Sequence, residues 1–199
     1  MKIEELHQIF LQCRSVCTDT RKIQKNDLFF ALKGDNFNGN TYANNALKLG
    51  AKYAIIDDPE FDVSEETILV NNALDALQKL ASFHRNYLKV PIIAITGSNG
   101  KTTTKELINI ILSQNYKTTA TIGNLNNHIG VPLTLLSMTK DTEIGIVEMG
   151  ANHQKEIEFL SSIAQPDYGY ITNFGKAHLE GCGGVQGVIK GISELYNYL

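Results

Sequence analysis

Thr96-Gly97-Ser98-Asn99-Gly100-Lys101-Thr102-Thr103-Thr104 gathers glycines, one amine and a run of hydroxyls in a single stretch. Together these groups suit a polyphosphate. Glycine lets the backbone turn so that successive N–H groups converge, and a helix starting there adds partial positive charge. Lys101 can reach the outer phosphates, and a hydroxyl at Thr102 or Thr103 can ligate Mg²⁺. The spacing GxxGKTT is shorter than the common GxxxxGK[ST]; Ile95 stands where that pattern puts its first glycine. The plain alternative is an ordinary strand-to-helix turn. The apolar run Pro91–Thr96 before it and the helical pattern after it favour the phosphate reading, with Gly97, Ser98, Asn99, Gly100, Lys101, Thr102 and Thr103 as the cradle.

A bound metal needs a carboxylate. Ile144-Gly145-Ile146-Val147-Glu148 is an apolar strand ending in an acid, and in a parallel sheet the carboxyl ends of strands line the ligand crevice. Glu148 is therefore the expected metal carboxylate, against the alternative that it caps a turn. Two polar clusters, Asn124–Gly130 and Thr172–His178, follow predicted strands. His178 is a candidate second metal ligand or substrate contact, although a lone histidine is often structural. His7, His84 and His153 lack such a context. No Ser/His/Asp or Cys/His nucleophile arrangement is legible. Cys13 and Cys17 are spaced CxxxC with no second pair, and with Cys182 they read as reduced small hydrophobes rather than zinc ligands.

The elements that would position these groups alternate. Helical patterns cover 2–13, 41–49 and a stripe from Leu74 to Leu88. Strand-like runs cover 28–32, 52–57 and 67–70. Beyond Pro91, strands are expected at 91–96, 117–120, 144–149 and 168–172. A helix after Gly100 carries Leu107, Ile110 and Ile111 on one face, and further helices lie near 153–164 and 186–198. Alternating strands and helices imply an α/β fold with a mostly parallel sheet flanked by helices. A boundary near residue 89 gives a small N-terminal α/β substrate domain, 1–89, and the beginning of a P-loop ATPase-type domain, 90–199.

With 199 residues, 43% of them hydrophobic, the chain can bury a core without disulfides. Lys and Arg total 18 against 21 Asp and Glu, a net charge of −3. That balance argues against a general nucleic-acid binder and a polybasic membrane anchor. The apolar runs are too short for a membrane span of ~20 residues. The acidic, helix-patterned N-terminus lacks a signal peptide's apolar block, so a cytoplasmic location is expected.

The strings ITGSNGKTTTKELI (95–108), GNLNNHIGVPLTLLS (123–137), EMGANHQKEI (148–157) and ITNFGKAHLEG (171–181), with TDTRKIQKNDLFFALKGDNFNGN (18–40), resemble the Mur ligases of bacterial cell-wall synthesis. NLNNHIG and GKAHLEG point within that family to the branch that adds D-Ala-D-Ala to UDP-N-acetylmuramoyl-tripeptide. The resemblance implies ATP and Mg²⁺ as cofactors. It also implies an acyl phosphate made at the peptide's terminal carboxylate and attacked by the dipeptide amine. Gly100, Lys101 and Thr102 would hold ATP phosphates, with Thr103 near the metal. Glu148 and His178 would serve metals, and Asn127 and His128 would lie near the reacting groups. Thr20, Arg21, Ala31, Leu32, Gly34, Asn38 and Gly39 would face the UDP-sugar.

Three departures qualify it. Family members are roughly twice as long, so a fragment without the C-terminal domain is expected. Such a fragment would have at most trace activity and a sheet edge prone to self-association. A non-catalytic binding fragment and a folylpolyglutamate synthetase-like sister ligase are the alternatives. Ile192 stands where similar ligases carry a carbamylated lysine; it sits in an apolar stripe with Val188 and Leu195, so a core contact is expected. Asn38 and Asn40 stand where Asp and His are frequent, and Cys182 where Phe is common.

Overall fold

The computed structural model describes residues 1–175 and 184–199. The chain divides into two compact units, Met1–Phe83 and His84–Leu199.

In the first unit, β1 (Val16–Cys17), β2 (Leu28–Phe30), β5 (Tyr53–Ile56) and β6 (Thr67–Leu69) form a parallel sheet in the order β1-β2-β5-β6. β3 (Lys33–Gly34) and β4 (Phe37–Asn38) pair as an antiparallel hairpin. The helices are α1 (Ile3–Phe10), α2 (Ala43–Lys48) and the first part of α3 (Ala73–Leu88), within which the division falls. Leu28, Phe29 and Phe30 are all buried, as a strand covered on both faces requires. Phe29, Ala31, Ala46, Ala54 and Ile56 share one core cluster, where small alanines let α2 approach the sheet.

Asp57, at the end of β5, ties this unit together. Its carboxylate accepts from Ala73 N at 3.0 Å, at the start of α3, from Asn40 Nδ2 at 2.9 Å, and from Lys33 Nζ at 3.0 Å. Burial pushes its pKa up, but these donors outweigh burial and hold it below the ordinary 3.8. A carboxylate with a depressed folded pKa stabilises the fold above the unfolded value and loses that contribution as pH falls through the lower folded one. Asp57→Asn should therefore cost about 1–2 kcal/mol near neutral pH. Denaturant titrations should show the gap to the native chain closing below pH 4; a gap that persists at acid pH would contradict the assignment.

In the second unit, β7 (Ile92–Thr96), β8 (Thr118–Ala120), β9 (Ile144–Glu148) and β10 (Tyr168–Ile171) form a fully parallel sheet in the order β10-β7-β9-β8. α4 (Lys101–Leu112), α5 (Gly130–Leu136), α6 (Glu156–Ala164) and α7 (Val185–Tyr198) pack around it. Ile92, Ala94, Ile95, Ile146, Val147 and Leu195 are buried. The expected α/β class and parallel sheet are present.

The phase of α4 differs from expectation. Leu107, Ile110 and Ile111 are 57–67% exposed, and the helix turns Lys105 inward instead, at 0% exposure. Two stripes compete on this helix, and the buried one runs from Lys101 through Lys105 to the partly covered Ile108 and Leu112. Among the described residues, no helix is long and apolar enough to cross a membrane.

Candidate active site

β7 delivers the chain to Gly97, whose φ of +136° is open only to glycine, and where a Cβ would collide with Thr172 Oγ1. Gly100, at φ +75°, then opens α4, and no side chain caps it. Thr104 N bonds to Gly100 O, so the amides of Lys101, Thr102 and Thr103 stand ahead of the helical ladder. The cradle is narrower than the sequence suggests. Ser98 N donates to Asn173 O at 3.1 Å and Asn99 N to Asn173 Oδ1 at 3.2 Å. Thr172 Oγ1 and Asn173 Nδ2 donate back to Asn99 O at 2.6 and 3.0 Å, and Gly175 N donates to Ser98 Oγ at 2.9 Å. The segment after β10 thus grips Ser98 and Asn99, whose amides serve the loop rather than a ligand.

Lys101 is partly buried, and its Nζ donates to Gly97 O at 2.7 Å. Burial lowers its pKa, and the charge on Glu148 works against that. Glu148 sits beside the loop because β9 pairs with β7 in a register that aligns it with Ile95. It is 1% exposed. Oε2 accepts from Thr102 Oγ1 at 2.9 Å and Oε1 from Asn126 Nδ2 at 2.8 Å; its own N–H donates to Thr121 Oγ1 at 2.9 Å.

Among the described residues the side chains that hydrogen-bond this buried carboxylate, Thr102 and Asn126, are neutral, which leaves it room for more positive charge. Mg²⁺ is commonly held by one or two carboxylates plus phosphate oxygens. Glu148 with the Thr102 hydroxyl fits that donor set. The hydroxyl that reaches Glu148 is that of Thr102 rather than Thr103. No cluster of three or more His, Cys, Asp or Glu that could hold a metal occurs among the described residues. His178 lies outside the described residues, as does Cys182.

A cavity of about 620 Å³ opens beside the loop, lined by Lys101, Asn126, Asn127, His128, Asn152 and Glu156 among others. Asn127 turns its Oδ1 to the amides of Ile129 and Gly130 at 3.1 and 2.9 Å, bracing the entry to α5. Asn126 is the asparagine that reaches Glu148. The polar string pointed to this turn, but residue type alone does not tell which neighbour points inward. Thr121 was missed as well; a single threonine after a three-residue strand gives no signal. Ile192 is 8% exposed and packs with Val188 and Ile171, while Lys190 is exposed.

The first-unit candidates are placed as follows. Arg21, with its side chain 87% exposed, pairs with Asp19 at 2.8 Å, which pulls the Asp19 carboxyl down to about 2. Thr20 begins the same short 3₁₀ turn. The Ala31 amide is committed to Ile55 O, the Leu32 amide to Phe30 O and the Gly39 amide to Leu32 O. Asn38 Oδ1 accepts from the Asn40 backbone and side chain at 3.0 and 2.8 Å. Gly34 is exposed in the hairpin. Arg21 and Gly34 therefore face solvent, while Ala31, Gly39 and the Asn38 amide oxygen are engaged internally.

Residues 95–199 match the family model of the Mur ligase middle domain, and residues 12–85 match that of the Mur ligase family catalytic domain. The chain is 41% identical over 186 residues to the UDP-N-acetylmuramoyl-tripeptide–D-alanyl-D-alanine ligase of Bacillus subtilis (strain 168), covering 92% of this chain and 41% of that protein. Against the Escherichia coli (strain K12) ligase of the same name it is 39% identical, covering 98% and 43%. MurF from Acinetobacter baumannii superimposes with a TM-score of 0.87 at 35% identity, covering 100% of this chain and 46% of the other. A MurF ligase from Thermotoga maritima in complex with ADP gives 0.83 at 31% identity, covering 95% and 44%. The chain spans less than half the length of these relatives. With both family models matched and the parallel sheet, glycine turn and strand-end carboxylate in place, the chain belongs to the Mur ligase family, on its MurF-type branch.

Proposed function

We propose that this chain carries the nucleotide-phosphate and magnesium site of a ligase joining D-Ala-D-Ala to UDP-N-acetylmuramoyl-tripeptide. The observation that carries the reading is Lys101, Thr102 and Glu148 meeting at the adjacent carboxyl ends of β7 and β9. The amides opening α4 and the Lys101 ammonium bind the ATP phosphates. Glu148 and Thr102 hold Mg²⁺, which when bound offsets phosphate charge. The terminal peptide carboxylate attacks the γ-phosphorus as the bond to ADP breaks. The dipeptide amine then displaces phosphate from the acyl phosphate, losing a proton as the amide forms. The cavity beside Asn126, Asn127 and His128 is the place for those reacting groups. Holding two anions at reacting distance requires the cationic, dipolar surroundings that the loop supplies.

The N-terminal unit serves the UDP-sugar, with Arg21 the exposed guanidinium suited to its pyrophosphate. A binding role with little turnover is a second reading for the 199 residues themselves. Burial of Ile192 where the resemblance expects a metal-supporting lysine favours it.

Calorimetry with UDP-N-acetylmuramoyl-tripeptide and with magnesium ADP, beside a coupled ADP-release assay, separates these readings. We expect both ligands to bind and turnover to stay at trace level. Failure to bind either ligand would sink the function. Robust turnover needing both tripeptide and dipeptide would remove the second reading. Turnover on folate and glutamate would reassign the substrate.

A further inference from the structure

Lys105 lies one turn beyond Lys101 on α4 and has no solvent exposure. Its ammonium donates to the Thr121 carbonyl at 2.6 Å and pairs with Glu106 Oε1 at 2.7 Å. Burying an ammonium is costly. Ile108 and Leu112 continue the same inward stripe, so an apolar residue at this position would pack there without that cost. The charge must therefore do something a hydrophobe would not.

What it does follows from Thr121. This buried residue sits directly after β8, and its amide donates to Ile146 O at 2.9 Å. Its hydroxyl accepts from Glu148 N at 2.9 Å, and its carbonyl belongs to Lys105. The turn that Thr121 begins leads to Asn126, which holds Glu148 Oε1 through Nδ2 and takes the Gly150 amide on its carbonyl at 2.8 Å. Glu148 is thus held by its backbone through Thr121 and by one oxygen through Asn126. Both grips depend on where the chain leaves β8, and Lys105 pins that exit.

We propose that Lys105 is a positioning residue for the Glu148 carboxylate, setting its separation from Thr102 through the Thr121 carbonyl. The proposal rests on the magnesium reading above. Mg²⁺ demands near-ideal octahedral geometry at about 2.0–2.1 Å. A slight drift of the carboxylate therefore weakens metal binding before it disturbs phosphate contacts to the α4 amides. Lys105 touches neither ligand; it acts through Thr121.

The test is calorimetric titration of ADP with and without Mg²⁺ into the native chain, Lys105→Met, Thr121→Val and the double variant. Magnesium-free ADP affinity should stay within about twofold of native in each single variant. The magnesium-linked gain in affinity should fall at least fivefold in each, and the double variant should lose no more than the worse single, because both act through one chain of contacts. An unchanged gain in Lys105→Met overturns the proposal. So does a parallel fall with and without metal, the mark of a merely structural lysine. Should Lys105→Met fail to fold, Lys105→Gln takes its place, its uncharged and shorter side chain removing the ammonium from the Thr121 carbonyl: the gain should again fall at least fivefold, and an unchanged gain overturns the proposal. A native chain that binds ADP with no magnesium-linked gain sinks the metal reading itself, and this assignment with it.

Discussion

Lys101→Ala should bind ATP at least ~100-fold more weakly than the native chain, a loss of about 3 kcal/mol. The ammonium now rests on Gly97 O, a neutral carbonyl, so phosphate oxygens would replace that contact with a charge-assisted one. Burial already lowers the lysine's pKa, and the opposing influence of Glu148 favours the charged form. The alanine variant should remain folded, because it removes a partly exposed side chain at the first turn of α4. Equilibrium titration with a fluorescent ATP analogue reads the effect. Native-like affinity in Lys101→Ala would show that the loop does not grip the phosphates.

Glu148→Gln should separate metal from nucleotide. Glutamine keeps the size of the side chain and an oxygen that can accept from Thr102 or Asn126, but it removes the charge that would face Mg²⁺. The magnesium-linked gain in affinity should fall at least tenfold. Metal-free nucleotide should bind as well as before, or better, since a carboxylate near the phosphates is gone. Thermal stability should hold or rise, because a 1%-exposed carboxylate hydrogen-bonded by the neutral side chains of Thr102 and Asn126 is costly to keep charged. If magnesium strengthens binding equally in both proteins, Glu148 is not the metal carboxylate.

The strand-to-helix glycine turn was legible because its two neighbours are unambiguous: PIIAIT has the continuous apolar run of a covered strand, and GKTTTKELI opens a helix. Glu148 was legible as a strand-ending acid, and the register that aligns it with Ile95 makes it a neighbour of the loop. The two-residue strand Val16–Cys17 and the hairpin at Lys33–Asn38 left no periodicity to read. On α4 the longer aliphatic stripe misled, since the face turned to the sheet is the one carrying Lys105. Choosing Asn126 over Asn127, or Thr102 over Thr103, depends on hydrogen-bond direction, which adjacent residues of one type do not encode. Asn38 drew attention beside a presumed sugar site, but its oxygen is committed to Asn40. The amides of Ser98 and Asn99 were expected to face a ligand; only a long-range partner, Asn173, could have shown otherwise.

The central claim is that a polyphosphate sits on the amides that open α4, against Lys101. Backbone amide NMR shifts of the chain titrated with a nonhydrolysable ATP analogue and Mg²⁺ test it most directly. The largest saturable shifts should fall on Gly100, Lys101, Thr102 and Thr103, and should vanish in Lys101→Ala. Saturable shifts confined to other residues, or none at millimolar nucleotide, would contradict it.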